Sequence, residues 1–239
     1  MAVAAVIILL LLLIILPLLY AGPLPPGFTE TLLTTAFFSG VASVISLPFG
    51  LATALWGRSP GRAFISQVLY VPAVVPPTSV GVLLLSAVMS PSKICSAVGQ
   101  NCDFISNALY AFFVNKPAGV LLAMFVMALP VSYVVFDGAL REIRAEAYFK
   151  SLGFKGAGLL LMILLSLRKA TISAFIFSFL RGFGELGVLL IFASYPPTLS
   201  IYIYNAWLIY GVGPAVTASL LAMGVGIVSA YVVRIWFSK

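Results

Sequence analysis

Apolar runs of similar length, set apart by short polar or proline-bearing stretches, organise this chain. They cover residues 2–20, 32–56, 64–89, 117–136, 170–193 and 214–237. A helix needs roughly 20 apolar residues to cross a hydrocarbon core, and each run is of that order. The pattern predicts an all-α, polytopic transmembrane helical bundle of about six spans, forming a single domain over 1–239. The first run has no basic leader and is long for a secretory signal, so it reads as a retained span.

The connections differ in character. Gly57 to Arg62 is short and basic, and Pro72, Pro76 and Pro77 break the third run. A polar stretch over 90–116 carries Cys95, Cys102, Asp103 and Asn107, and the most charged stretch lies over 137–155. Residues 158–167 are apolar but too short to cross a bilayer, and Arg168 and Lys169 close them. That stretch predicts a hairpin return at the membrane surface. Residues 194–213 carry Tyr195, Tyr202, Tyr204, Trp207 and Tyr210, which suit either an interfacial aromatic belt or contact with a partner.

Composition sharpens this picture. The chain is 62% hydrophobic and 8% charged, against about 25% charged residues in a soluble domain. So little charge cannot cover a folded surface, and the outer face must meet the lipid bilayer. The net charge of +7 suggests nucleic acid only until the cations are placed. With the amino terminus inside, Arg58, Arg62, Arg141, Arg144, Lys150, Lys155, Arg168, Lys169, Arg234 and Lys239 share one face, ten against Lys93 and Lys116 on the other. Cytoplasmic loops are the ones enriched in lysine and arginine. The expectation is a multi-pass protein of the cell (inner) membrane with both termini cytoplasmic and no nucleic-acid partner. Histidine is absent, which removes the commonest metal ligand and general base. No catalytic or metal-binding set is expected.

Polar groups inside the runs are the candidates for chemistry. Arg181 and Glu185 stand four residues apart in the fifth run, a spacing that puts both on one helix face. An ionisable residue in a span costs about 3 kcal/mol or more, and persists when it pairs, faces a polar interior or serves a path. Two readings stay open: Arg181 attracts an anion along a translocation path, or the pair locks the fifth helix to its neighbours. Gly182, Gly184 and Gly187 around them admit close backbone approach. The same residues satisfy Gly-x-Gly-x-x-Gly, a dinucleotide fingerprint only between a strand and a helix of a soluble unit, so that reading is rejected. Pro72, Pro76 and Pro77 remove three backbone donors and free carbonyls that protein or water must meet. The kink, with Thr78 and Ser79 beside it, is expected to face the bundle interior. Ala222, Gly226 and Ala230 form a small-residue stripe that predicts helix packing in the sixth run. Cys95 and Cys102 share one external loop, where a disulfide can form.

The charged stretch predicts a short helix over 141–151, stopped at Gly153, with Tyr148, Phe149 and Phe154 clustered around the turn. Aromatics on a charged loop suit a partner's groove or the lipid headgroups. Glu146-Ala147-Tyr148-Phe149-Lys150-Ser151-Leu152-Gly153 resembles the cytoplasmic signature loop of binding-protein-dependent ABC permeases. The acidic residue sits one place earlier than in the usual pattern, and the later Leu-Pro is Leu165-Ser166 here. Val71-Pro72-Ala73-Val74-Val75-Pro76-Pro77-Thr78 resembles the proline-rich segment of molybdate, tungstate and sulfate permeases. Arg181-Gly182-Phe183-Gly184-Glu185-Leu186-Gly187 is similar to their fifth-span signature, and Ser194-Tyr195-Pro196-Pro197-Thr198-Leu199 to the external turn after it.

The resemblance implies a type I ABC importer permease for a tetrahedral oxyanion such as molybdate or tungstate, with sulfate as the alternative. It implies a coupling helix within a loop over about 137–169, docked on an ATPase subunit through Glu146, Ala147, Tyr148, Phe149, Gly153 and Phe154. It further implies an external binding protein, a second copy of the chain, and a path near Pro72, Pro76, Pro77, Thr78, Arg181 and Glu185. No Gly-x-x-x-x-Gly-Lys-Ser/Thr loop occurs, so no cofactor is expected in this chain, and ATP with magnesium belongs on the partner. An integral-membrane enzyme is the competing class, opposed by the missing histidine and by six acidic residues that form no catalytic pair. A passive channel or scaffold needs no aromatic-bearing docking loop.

Overall fold

The computed structural model describes residues 12, 15–58, 61, 63–97, 99, 102–142 and 145–238. Among them the chain is helical throughout, with no strand. In order the helices are α1 (Phe28–Gly57), α2 (Ala63–Val74), α3 (Pro77–Ala97), α4 (Asp103–Phe113), α5 (Pro117–Glu142), α6 (Ala145–Ser151), α7 (Gly156–Ser166), α8 (Arg168–Phe183), α9 (Gly187–Phe192), α10 (Leu199–Tyr210) and α11 (Val212–Ser238). Four of them, α1, α3, α5 and α11, are long and apolar enough to cross a membrane, and α7 with α8 forms a fifth such unit bent by 92°. The first run, 2–20, lies largely outside the described residues.

Helices α1, α5 and α8 pack together as the centre of the bundle. Small polar residues make the contact possible: Thr31, Thr35, Ser39, Ser43 and Ser46 recur along one face of α1 and are buried. Four of the hydroxyls fold back on their own helix, as in the Thr35 Oγ1 bond to Thr31 O at 2.6 Å and the Ser43 Oγ bond to Ser39 O at 2.7 Å, while Ser39 Oγ lies 3.7 Å from Met124 Sδ of α5. Among the described residues of these three helices no buried side-chain polar atom lacks a partner, so the helices approach closely without an unsatisfied group.

Three apolar cores surround the centre. One unites Val80 and Val88 of α3, Val120 and Met127 of α5, and Val188 and Phe192 of α9. A second gathers Leu51 of α1, Tyr133 and Phe136 of α5, Phe149 of α6, and Leu159 and Ile163 of α7. A third joins Phe183 of α8 to Leu199 and Tyr202 of α10 and Ala218 of α11. The second core closes the basic end of the bundle; the first sits toward the end that carries Cys95 and Cys102. At the basic end the Arg58 guanidinium donates to Leu140 O at 2.8 Å, meeting a carbonyl of the last turns of α5 where a cation is favoured.

Several expected boundaries change. The third run is broken as expected, into α2 and α3 parted at Val75–Pro76, because a proline cannot donate to the turn before it and clashes with it, but Pro72 lies inside α2 and does not break it. The fifth run is also split, into α8 and α9. The polar stretch 90–116 is mostly helical: α3 and α4 form a hairpin. Pro91 lies inside α3, and the Ser92 amide beside it donates to Ser106 Oγ of α4 at 2.7 Å. The expected return over 158–167 is α7, turned sharply at Leu167; Thr171 Oγ1 donates to Leu164 O at 2.9 Å and satisfies the carbonyl exposed by the turn. The small-residue stripe does not pack as expected. Ala222 joins the third core, but a methyl group placed on Gly226 would meet nothing within 4 Å.

Candidate translocation and coupling sites

The break between α8 and α9 is built by its own residues. Glycines at 182 and 184 weaken the helix, and α8 ends as Gly184 N donates to Leu180 O at 3.1 Å and Glu185 N to Gly182 O at 3.1 Å. The Glu185 side chain then replaces the lost backbone ladder. Its Oε1 accepts from Val188 N at 2.9 Å, covering a donor in the first turn of α9, and its Oε2 accepts from Arg181 Nη1 at 2.5 Å. Glu185 is 1% exposed and Arg181 31%. A buried carboxylate without such partners would cost several kcal/mol; here both oxygens are held. The sequence placed the pair on one helix face. The structure corrects this: Arg181 is in the last turn of α8, while Glu185 lies beyond it, in the break.

The second break meets the first. A methyl group on Gly187 would lie 2.7 Å from Pro77 Cβ and 3.0 Å from Thr78 N, so only glycine admits the start of α3 at this distance. Gly81, one turn on, sits equally close to Val188 and Ile191. Of the six path candidates, Pro77 and Thr78 are therefore brought beside the break that holds Glu185. Pro72 is separate, inside α2. The expectation that the kink faces the bundle interior is corrected: Pro77 is half-buried against α9, but Pro76, Thr78 and Ser79 are exposed on the single chain. Local turns, not the interior, satisfy the backbone there, with Ser79 N donating to Pro76 O at 2.9 Å.

At the basic end, α6 ends in a left-handed cap. Gly153 has φ +89°, its amide donates to Lys150 O at 3.0 Å, and Phe154 N donates to Phe149 O at 3.1 Å. This pair of bonds is a Schellman motif, and the Phe149–Phe154 ring contact at 6.1 Å is the apolar clasp that accompanies it. The three aromatics do not share one exposed surface as expected. Phe149 is 8% exposed and belongs to the second core, while Tyr148 is 61% and Leu152 56% exposed. Burial of Phe149 fixes the helix; Tyr148, Leu152 and Ala147 are what it presents outward. Glu146 lies on α6, but its side chain is outside the described residues.

The opposite end carries two features. Cys95 and Cys102 are joined, with Cα atoms 5.7 Å apart, across the α3–α4 connection. A groove of about 460 Å³ opens between the start of α1, the turn over 195–197 and α10, lined by Pro26, Glu30, Tyr195, Tyr202, Asn205 and Tyr210 among others. Tyr202 Oη donates to Pro25 O at 2.6 Å, and burial pushes its phenol above the usual tyrosine range, so it remains a donor there. The Leu199 amide donates to Thr35 Oγ1 at 2.6 Å and ties the turn to α1. Thr35, Ser132, whose Oγ donates to Ser46 O at 2.9 Å, and Ser178, whose Oγ donates to Ala128 O at 3.2 Å, were not singled out from the sequence as positioning residues, whereas the close approach at Gly187 was expected. The i, i+4 recurrence of small polar residues from Thr31 to Ser43 was a legible signal for the first of them.

No protein-family model matches the chain. Curated relatives do. The chain is 32% identical over 211 residues to a protein of Haloferax volcanii described as a "Probable molybdenum ABC transporter permease protein", covering 83% of this chain and 73% of the relative. It is 31% identical over 178 residues to the molybdenum transport system permease protein of Escherichia coli (strain K12), covering 70% and 73%. It is 28% identical over 187 residues to a molybdate/tungstate transport system permease protein of Methanocaldococcus jannaschii, covering 76% and 71%.

Proposed function

Because this chain belongs to the molybdenum and molybdate/tungstate ABC transporter permeases, we propose that it carries a tetrahedral oxyanion through the membrane by alternating access, driven by separate ATPase subunits. The chain is a multi-pass membrane permease. In this reading an external binding protein delivers molybdate or tungstate, two copies of the chain enclose the path, and ATP and magnesium are handled by the partner. The basic end faces the cytoplasm in the cell membrane.

One observation carries the coupling part of the reading. Helix α6 is anchored by Phe149 and its Schellman cap, yet leaves Tyr148 and Leu152 exposed beyond the bundle. Anchored on one side and apolar on the other, it suits insertion into a partner's cleft and transmission of movement to the second core. The exposure of Thr78 and Ser79 beside the α2–α3 break supports a path between two copies, since hydroxyls gain nothing against lipid. Arg181, partly exposed while Glu185 is sealed, is the cation that raises anion occupancy there. The groove at the opposite end, with its tyrosines and Glu30, is the surface offered to the binding protein.

The test is reconstitution with the cognate ATPase and binding protein in vesicles. ATP-dependent uptake of molybdate or tungstate is expected, with sulfate as the competing substrate. Uptake of sulfate alone moves the chain to the sulfate branch; no uptake of any oxyanion, with ATPase and binding protein both active, rejects the reading.

A further inference from the structure

The groove between the start of α1, the turn over 195–197 and α10 has fixed walls. Residues 21–27, which lead into α1, are tied down at both ends. Near the start of α11, Gly22 N donates to Gly213 O at 3.1 Å and Thr217 Oγ1 donates to Gly22 O at 2.7 Å. Against α10, Tyr202 Oη donates to Pro25 O at 2.6 Å, and the Tyr202 ring meets Phe28 edge-on with centroids 5.7 Å apart. The Leu199 amide, held by Thr35 Oγ1, ties the opposite wall to α1. Walls set in this way leave little ordering for binding to oppose.

The charge in the groove has one sign. Glu30 lines it from the first turn of α1, is exposed there, and makes no hydrogen bond or ion pair with another described residue. The first turn of a helix favours a negative charge, so Glu30 stands without a cation of its own. Asn205 and Tyr195 also line the groove, exposed and with no side-chain bond among the described residues, and Tyr210 adds an exposed ring. No lysine or arginine lines it among the described residues. The other described charges of this end, Lys93, Asp103 and Lys116, belong to the α3–α4 hairpin and the turn after it.

A carboxylate with open amide and phenol oxygens in the same groove repels an oxyanion and accepts from a cation. Exposed aromatic rings add attraction for a cation over their faces. A guanidinium, with five donors in a planar fork, matches a carboxylate and an amide carbonyl together. The volume of about 460 Å³ is in the range of pockets that seat a small organic group. Resting on the transport reading above, we infer that this groove takes an arginine or lysine side chain of the external binding protein, with Glu30 as its counter-charge. The groove holds the carrier of the oxyanion and not the oxyanion itself, so docking does not compete with the load.

The test uses the full chain assembled with its ATPase in lipid nanodiscs, titrated with the molybdate-loaded cognate binding protein. Glu30→Gln is expected to weaken docking about tenfold and Glu30→Lys about a hundredfold, with melting temperature reporting that each variant is folded. Docking of a folded Glu30→Lys assembly equal to wild type overturns the inference; should that variant fail to assemble, Glu30→Gln decides by the same measure. Surface lysines and arginines of the binding protein are then changed singly to Glu, and one is expected to restore docking to Glu30→Lys. If none does, no cation fills the groove and the inference fails. In Glu30→Cys, a membrane-impermeant thiol reagent is expected to label the groove in the free assembly and to be blocked by saturating binding protein. Blocked labelling in the free assembly means that a second copy of the chain covers the groove, which overturns the inference, as does labelling that the binding protein leaves unchanged. Binding of free molybdate that Glu30→Gln weakens would make the groove a cargo site and overturn it too. Uptake that proceeds with docking indifferent to Glu30 rejects this inference alone; a wild-type assembly that neither binds the loaded protein nor takes up any oxyanion rejects the transport reading with it.

Discussion

Glu185 holds Val188 N with one carboxylate oxygen and the Arg181 guanidinium with the other, so a single buried side chain spans the gap between α8 and α9. Its two bonds separate two roles. The bond to Val188 is architectural, and the bond to Arg181 neutralises charge.

Removing either partner tests that division. Arg181→Ala leaves Glu185 buried and uncompensated, a loss of about 3–5 kcal/mol. Glu185→Ala is expected to cost more, because Val188 N also loses its acceptor, while Glu185→Gln retains that bond and recovers part of the loss. Replacing both by Met and Leu is expected to restore much of the melting temperature but not anion uptake. Full uptake by that stable double variant would reduce the pair to architecture.

At the crossing of the two breaks, Gly187→Ala places a methyl 2.7 Å from Pro77 Cβ. Overpacking of this kind costs about 1–3 kcal/mol. A lower melting temperature in detergent is expected, and an unchanged one would show that the crossing is looser than described. Gly226→Ala, with nothing within 4 Å of the added carbon, is the control and should melt like the parent chain.

Helix α6 separates anchoring from docking. Phe149→Ala empties part of the second core and is expected to cost about 3–5 kcal/mol. Tyr148→Asp changes only the exposed side and should leave melting unaltered while uncoupling ATP hydrolysis from uptake. Normal coupling in Tyr148→Asp would remove α6 as the docking element. The orientation behind this argument is checked by a cysteine at Ser151, expected to label only once the cytoplasmic face is opened.

The Cys95–Cys102 bond closes a short loop between α3 and α4. A crosslink of that span stabilises by about 2–3 kcal/mol in the chain-entropy picture. Cys95→Ser with Cys102→Ser is expected to lower the melting temperature by that measure. Mass spectrometry of non-reduced protein should show the linked peptides; two free thiols would remove the staple.

Hydrophobic run length and the placement of thirteen Lys and Arg residues were enough to determine a helical membrane bundle, because bilayer thickness and the satisfaction of backbone groups leave a chain this apolar little else. The stop at Gly153 was equally local, since a left-handed residue closes a helix whatever surrounds it. What tertiary structure decided are the matters that depend on neighbours. Phe149 and Tyr148 are adjacent aromatics in sequence, and only the packing of α7 against α1 and α5 makes one an anchor and the other a surface. The i, i+4 spacing of Arg181 and Glu185 suggested one continuous helix; the break won because Glu185 supplies Val188 with an acceptor and Gly187 admits Pro77. Pro48 and Pro130 stand in unbroken helices, and no local pattern marks the close approach of Gly50 to Ser132 beside them. That contact arises only when α1 and α5 are laid side by side, since it is the register between helices, fixed by contacts far apart in the chain, that sets it.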